Sequence, residues 1–247
     1  MHRRHDISVE GEDIVAVHHP GPGDQWLVCC HGLVSDKEGT YEGRCERAVA
    51  EGYHAVRFDH RGCGEADGDF AEQTLETRMT DLHAVLDYFD PTSVVLFGSS
   101  FGGKVAFHVA PERPEVMAVA TRAPVTVTDG YPDPGRRQQT GESSEASDST
   151  ENSPVDQRPF LEALVRHEFG EVQAALSCPV AIFHGREDET VPVEDSLTAI
   201  EGLDTDVYFQ QYAGEGHRFS RAVESRLREQ LFDWLETVQT SSAQNCE

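Results

Sequence analysis

The run Ser93-Val94-Val95-Leu96-Phe97-Gly98-Ser99-Ser100-Phe101-Gly102-Gly103 decides how the rest of the chain is read. An apolar strand, Ser93–Phe97, leads into a G-x-S-x-G turn, and a helical segment, Lys104–Ala110, follows at once. A serine raised on so sharp a strand-to-helix turn takes a strained backbone conformation, and Gly98 and Gly102 remove the Cβ atoms that would collide around it. Ser100 Oγ is then presented at the carboxyl end of a sheet, above a helix N-terminus whose backbone N–H groups can stabilise a developing oxyanion. Taken alone, the motif also fits a glycine-rich turn that does no chemistry.

The chemistry needs partners, because a serine hydroxyl is a weak nucleophile at neutral pH without a base and an orienting carboxylate. Downstream, the apolar run Val180–Phe183 ends in His184-Gly185-Arg186-Glu187-Asp188-Glu189, a turn rich in carboxylates, from which Asp188 is the acid candidate. Glu187 and Glu189 compete in sequence, but a turn sends neighbouring side chains in different directions, and both read as solvated surface carboxylates. His217 follows the last apolar run in Ala213-Gly214-Glu215-Gly216-His217, a glycine-flanked loop read as flexible and exposed, and is the base candidate. Phe101 N–H is the first expected oxyanion donor. Leu33 N–H, in the loop His31-Gly32-Leu33-Val34 after strand Trp26–Cys30, is the second. His31 and His184, each preceding a glycine at a strand end, read as structural residues that hydrogen-bond the local loops. No His, Cys or Asp spacing resembles a zinc or iron site, and no metal or organic cofactor is required.

Short apolar runs alternate with amphipathic segments from about residue 26 onward, the pattern of a mostly parallel sheet with helices on both faces. Besides the runs already named, Ala55–Phe58, Val116–Ala120 and Val207–Tyr212 read as strands. Ile7–Val9 and Ile14–Val17 suggest an antiparallel edge hairpin turned by Gly11-Glu12-Asp13. Leu75, Met79, Leu82, Leu86 and Phe89 share helical spacing, as do Val223, Leu227, Leu231, Trp234 and Leu235. From Gly135 to Ser153 only Ala146 is apolar, so a polar, disordered insertion is expected at about 135–153 within a single 1–247 domain. A short amphipathic helix is expected over Phe160–Phe169.

A net charge of −25, from 45 acidic and 20 basic residues, excludes nucleic acid as a partner and disfavours acidic substrates wherever salt does not screen the field. Only Lys37 and Lys104 among the basic residues are lysines, and an acid-rich, lysine-poor surface points to a halophilic source. The six cysteines form no C-x-x-C pair and read as core residues. Met1-His2-Arg3-Arg4-His5-Asp6 is followed by no apolar segment, and no run is long enough to cross a bilayer, so a cytoplasmic protein with no membrane insertion is expected. Oligomeric state is not legible.

Together, Cys30-His31-Gly32, Phe58-Asp59-His60-Arg61-Gly62-Cys63-Gly64, Gly98-Ser99-Ser100-Phe101-Gly102-Gly103, His184-Gly185-Arg186-Glu187-Asp188 with Val191-Pro192, and Gly216-His217 resemble the successive signatures of the α/β-hydrolase superfamily. They span nearly the whole chain and look most like the small esterase and acylglycerol-lipase-like branch. The resemblance implies a Ser100, Asp188 and His217 triad acting on a small-molecule ester or acyl substrate through an acyl-enzyme. Serine peptidase, thioesterase and acyltransferase activities use the same triad, and a non-catalytic ligand-binding protein could keep the fold. Ala66 departs from the serine that relatives often carry after the R-G-x-G turn. The polar Gly135–Ser153 stretch stands in place of the helical cap that many relatives insert after the sixth strand, so the resemblance implies a reduced or absent cap with at most a minimal lid from Phe160–Phe169.

Overall fold

The computed structural model describes residues 2–126 and 168–244. Its centre is an eight-stranded sheet ordered β1-β2-β4-β3-β5-β6-β7-β8. The strands are β1 (Arg3–Val9), β2 (Glu12–His19), β3 (Trp26–Cys30), β4 (His54–Asp59), β5 (Val94–Ser99), β6 (Val116–Arg122), β7 (Val180–Gly185) and β8 (Val207–Tyr212). β1 and β2 pair antiparallel, β2 joins β4 antiparallel, and every later pairing is parallel. The described helices are α1 (Thr40–Ala50), α2 (Leu75–Phe89), α3 (Phe101–Val109), α4 (Phe169–Ala175), α5 (Val193–Gly202) and α6 (Arg221–Gln244).

The period-2 alternation of strand side chains divides the core between the two faces. Val28, Val56, Val94, Leu96 and Ile182 pack with residues of α2, α3, α4 and α5. Their neighbours Leu27, Ala55, Val95, Phe97 and Phe183 pack on the other face with residues of α1 and α6. Strands buried on both faces read as continuous apolar runs, which is why these segments stood out in the sequence.

Several boundaries differ from expectation. The hairpin turns at Glu10-Gly11, not at Gly11-Glu12-Asp13, with φ 53° and 94°. Two consecutive left-handed residues are what a two-residue turn matched to strand twist requires. β2 runs on through His18 and His19 because its backbone pairs with β4 as far as His19 and Ala55, whatever the side chains. Helices α1 and α5 lie outside the segments read as helical from the sequence; the buried face of α1 contains Arg44 beside Tyr41, Cys45 and Ala48. On α2 the buried face is Leu75, Arg78, Asp81, Leu82, Val85 and Leu86, turned from the expected stripe toward two charged residues. The expected polar insertion at 135–153 and most of the Phe160–Phe169 helix lie outside the described residues, and Phe169 begins α4. Cys29, Cys30, Cys45 and Cys63 are buried and unbridged.

Both lysines are buried. Lys37 Nζ reaches Asp59 and Glu65, each at 2.6 Å, and Lys104 sits in α3 with no solvent contact, its ammonium pushed down to about 8 by burial. Among the described residues no helix is long and apolar enough to cross a membrane.

Candidate active site

Register places the loops that matter at one end of the sheet. Cys30 lies beside Gly98, Ser99 beside Arg122, Arg122 beside Phe183, and Gly185 beside Tyr212. The segments leaving β3, β5, β7 and β8 therefore emerge together at the carboxyl edge, where ligands bind in open α/β sheets.

Ser100 sits between β5 and α3 with φ 55° and ψ −119°. Left-handed backbone at a side-chain-bearing residue is costly and persists only where its surroundings enforce it. Here Ser100 N donates to Arg122 O at 2.8 Å while Gly103 N donates to Ser100 O at 2.9 Å. A Cβ on Gly98 would stand 2.3 Å from Gly102 O, and one on Gly102 would stand 2.3 Å from Cys30 O. Those two glycines let the first turn of α3 press against the end of β3. The loop after β3 is thereby brought to Ser100: a Cβ on Gly32 would lie 3.5 Å from that of Ser100.

His217 Nε2 lies 3.1 Å from Ser100 Oγ, and His217 Nδ1 lies 2.8 Å from Asp188 Oδ2. Asp188 Oδ1 accepts the N–H groups of Thr190 and Val191, both at 2.9 Å. Burial pushes the Asp188 carboxyl up, but hydrogen bonds from His184, His217 and Val191 N–H outweigh it and hold the group well below the usual carboxylate range. Glu187 and Glu189 are exposed, while Asp188 is buried. The loop carrying His217 is tied down at several points, unlike the flexible loop expected from its glycines. Glu187 N donates to Glu215 O at 2.9 Å, Gly214 N to Glu187 Oε1 at 3.2 Å, and Ser220 N to Glu215 Oε2 at 2.6 Å.

His31 and His184 both hydrogen-bond local backbone. His31 pairs with Gly32 O at 2.7 Å and accepts His60 N–H at 3.1 Å, and burial depresses its pKa far below the ordinary histidine value. His184 bridges Ser196 Oγ at 2.6 Å and Val191 O at 2.9 Å, beneath Asp188. No group of metal-ligating side chains occurs among the described residues.

These residues open onto a cleft of about 780 Å³, lined among others by Leu33, Tyr41, Ser100, Phe101, Arg122 and His217. Residues 21–144 match the family described as serine aminopeptidase, S33. The chain belongs to this family of α/β-hydrolases. Over 229 residues, 86% of this hydrolase and 74% of the relative, it is 28% identical to the palmitoyl-protein thioesterase ABHD10, mitochondrial, of Homo sapiens. The solved structure of alpha/beta hydrolase domain-containing protein 10 from mouse matches with a TM-score of 0.79 at 23% identity, covering 96% of this chain and 99% of that one. A monoacylglycerol lipase from Paleococcus ferrophilus matches with a TM-score of 0.74 at 18% identity, covering 91% and 99%. At such identities the structural likeness speaks for the fold.

Other residues around the hydrolase cleft escaped the sequence reading. Arg78, fully buried on α2, donates to the carbonyls of Gly32 at 3.1 Å, Leu33 at 3.0 Å and His31 at 3.3 Å, and its guanidinium carbon lies 5.3 Å from the centre of the Phe101 ring. Arg44, Arg122 and Glu224 form a charged cluster in the cleft wall. The available signal was a charged residue on a helix's apolar side: Arg78 falls three after Leu75 and four before Leu82.

Proposed function

We propose that this α/β-hydrolase cleaves carboxylic esters and thioesters through an acyl-enzyme formed on Ser100. The observation that carries the reading is the unbroken hydrogen-bonded chain Ser100 Oγ, His217 Nε2, His217 Nδ1, Asp188 Oδ2, with separations of 3.1 and 2.8 Å. In the proposed mechanism Ser100 Oγ attacks the acyl carbon while His217 Nε2 takes its proton, and Asp188 fixes the tautomer and stabilises the imidazolium. The N–H groups of Phe101 and Leu33 receive the oxyanion; the tetrahedral species collapses, His217 returns the proton to the leaving oxygen or sulfur, and water releases the acyl group by the same route. The thioesterase activity named for the ABHD10 relatives favours including thioesters. A peptidase would use the same groups, and the family's description keeps that second reading in view.

The proposal extends to the solvent. With both lysines buried, the described surface carries its charge as carboxylates and arginines, a composition suited to concentrated salt. The test is hydrolysis of p-nitrophenyl esters from acetate to palmitate and of a matched thioester series, in low and molar KCl, with Ser100→Ala alongside. Turnover that disappears in the variant and rises with salt is expected. A folded wild type inert on every ester and thioester yet active on peptide amides would replace this reading with the peptidase one.

A further inference from the structure

The wall of the cleft beside Ser100 holds two arginines and one carboxylate. Glu224, from α6, accepts Arg122 Nη1 on one oxygen at 2.8 Å and Arg44 Nη2 on the other at 3.0 Å. Glu224 and Arg122 line the cleft, and Arg44 stands in the wall with no solvent contact. Arg122 belongs to the strand position whose carbonyl holds Ser100 N–H, so its side chain leaves the sheet next to the nucleophile.

The cluster is short of acceptors. Arg44 Nε and Nη1 and Arg122 Nε are buried without a hydrogen-bond partner. Stacking of Arg44 on Phe97, with 3.9 Å from guanidinium carbon to ring centre, eases the cost of its charge but uses none of its N–H groups. Two guanidiniums, always protonated, share one carboxylate, so the cluster keeps an excess positive charge in a chain of net charge −25. Buried donors and charge without partners are expensive, so a cluster that keeps three such donors calls for an explanation. Arg122 keeps a side chain 15% exposed where it lines the cleft, so its guanidinium, with Nη1 on Glu224 and Nε buried, can meet a carboxylate that enters from the cleft.

We propose that this cluster is an anion subsite, and that the preferred substrate is an ester or thioester bearing a carboxylate away from the scissile bond. The inference rests on the hydrolase reading above and adds a substrate class to it. The net acidic charge of the surface acts at long range, where salt screens it beyond about 10 Å. Asp36 and Glu38 also line the cleft, as does Arg218, so the substrate carboxylate is seated against Arg122, next to Ser100.

Two matched pairs test it. The p-nitrophenyl hemiesters of succinate, glutarate and adipate are compared with p-nitrophenyl esters of the same chain length whose far end is a methyl ester. Similarly, 4-carboxyphenyl butyrate is compared with its methyl ester, placing the charge on the leaving group. In at least one pair kcat/KM should favour the carboxylate by about 10- to 100-fold, and Arg122→Gln should bring that ratio toward one. Loss of the ratio, measured within each protein, does not depend on how much overall activity the variant retains. Binding supplies a readout without turnover: monomethyl glutarate should raise the melting temperature of Ser100→Ala at concentrations where dimethyl glutarate does not. No preference in either pair, with no selective thermal shift, overturns the anion subsite even if Ser100 proves essential for neutral esters. Turnover that survives Ser100→Ala overturns the underlying hydrolase reading instead, whatever the ratio.

Discussion

On one side of the cleft, Gly32 and Leu33 hang from Arg78, a cation with no solvent contact that engages three successive carbonyls. On the other, His217 projects from a loop beyond edge strand β8, with a side chain 19% exposed and held through Asp188 and the carboxylates of Glu187 and Glu215. The first side is fixed from within the core, where a lost donor leaves several buried acceptors unpaired. The second has one buried anchor, Asp188, and is otherwise fixed near the surface, where water can replace what is removed. Geometry beside Ser100 and stability of the fold should therefore be coupled on the Arg78 side and separable on the His217 side.

The largest effect expected on that contrast comes from Asp188→Asn. It should lower kcat/KM for a p-nitrophenyl ester by about 10⁴-fold, through the wrong imidazole tautomer, while the melting temperature falls only in part: an amide oxygen can still accept Thr190 and Val191 N–H, but the carboxylate's bonds from His184 and His217 are lost. A collapse in melting temperature to match the activity would break the contrast. Next comes Arg78→Met. About 3 kcal/mol of stability should be lost as the loop carbonyls lose their donors, and kcat should fall about 10- to 100-fold with KM little changed, as expected if an oxyanion donor is displaced. Arg78→Lys should restore part of kcat, and a variant that lost stability alone would show Arg78 to be merely structural. The smallest effect belongs to neither side of the cleft. On β2, burial depresses His18 and His19 to about 4 from the ordinary 6.5. The unfolded chain takes up those protons near pH 6.5 and the folded chain only near pH 4, so the stability from keeping both rings neutral is present above pH 6.5 and lost as pH falls toward 4. Melting temperature should decline across that window, and His18→Gln should flatten the decline.

Much of this was legible from residue types. The apolar runs of β3, β5 and β7 are buried on both faces, and Gly98 and Gly102 mark backbone approaches too close for any Cβ. Ser100, Asp188 and His217 could be chosen because each ends or follows such a run, and the structure brings them into one hydrogen-bonded chain. What escaped were buried charges. Periodicity assigns polar residues to solvent, so Arg78 and Asp81 were passed over on the inner face of α2. Arg44, Arg122 and Glu224 meet only through tertiary packing of α1, β6 and α6, and no local spacing records that meeting. The turn after β1 was misplaced because two left-handed residues in succession, Glu10 and Gly11, were not expected with a glutamate in the first position.

The burial of Lys37 and Lys104 has a practical side. These are the only side-chain amines in the sequence, so amine-selective dyes, reducing sugars and acylating agents meet no ε-amino group on the folded surface. Attachment to a support or a fluorophore through lysine would require the protein to open first, which makes the appearance of a lysine adduct a clock for unfolding.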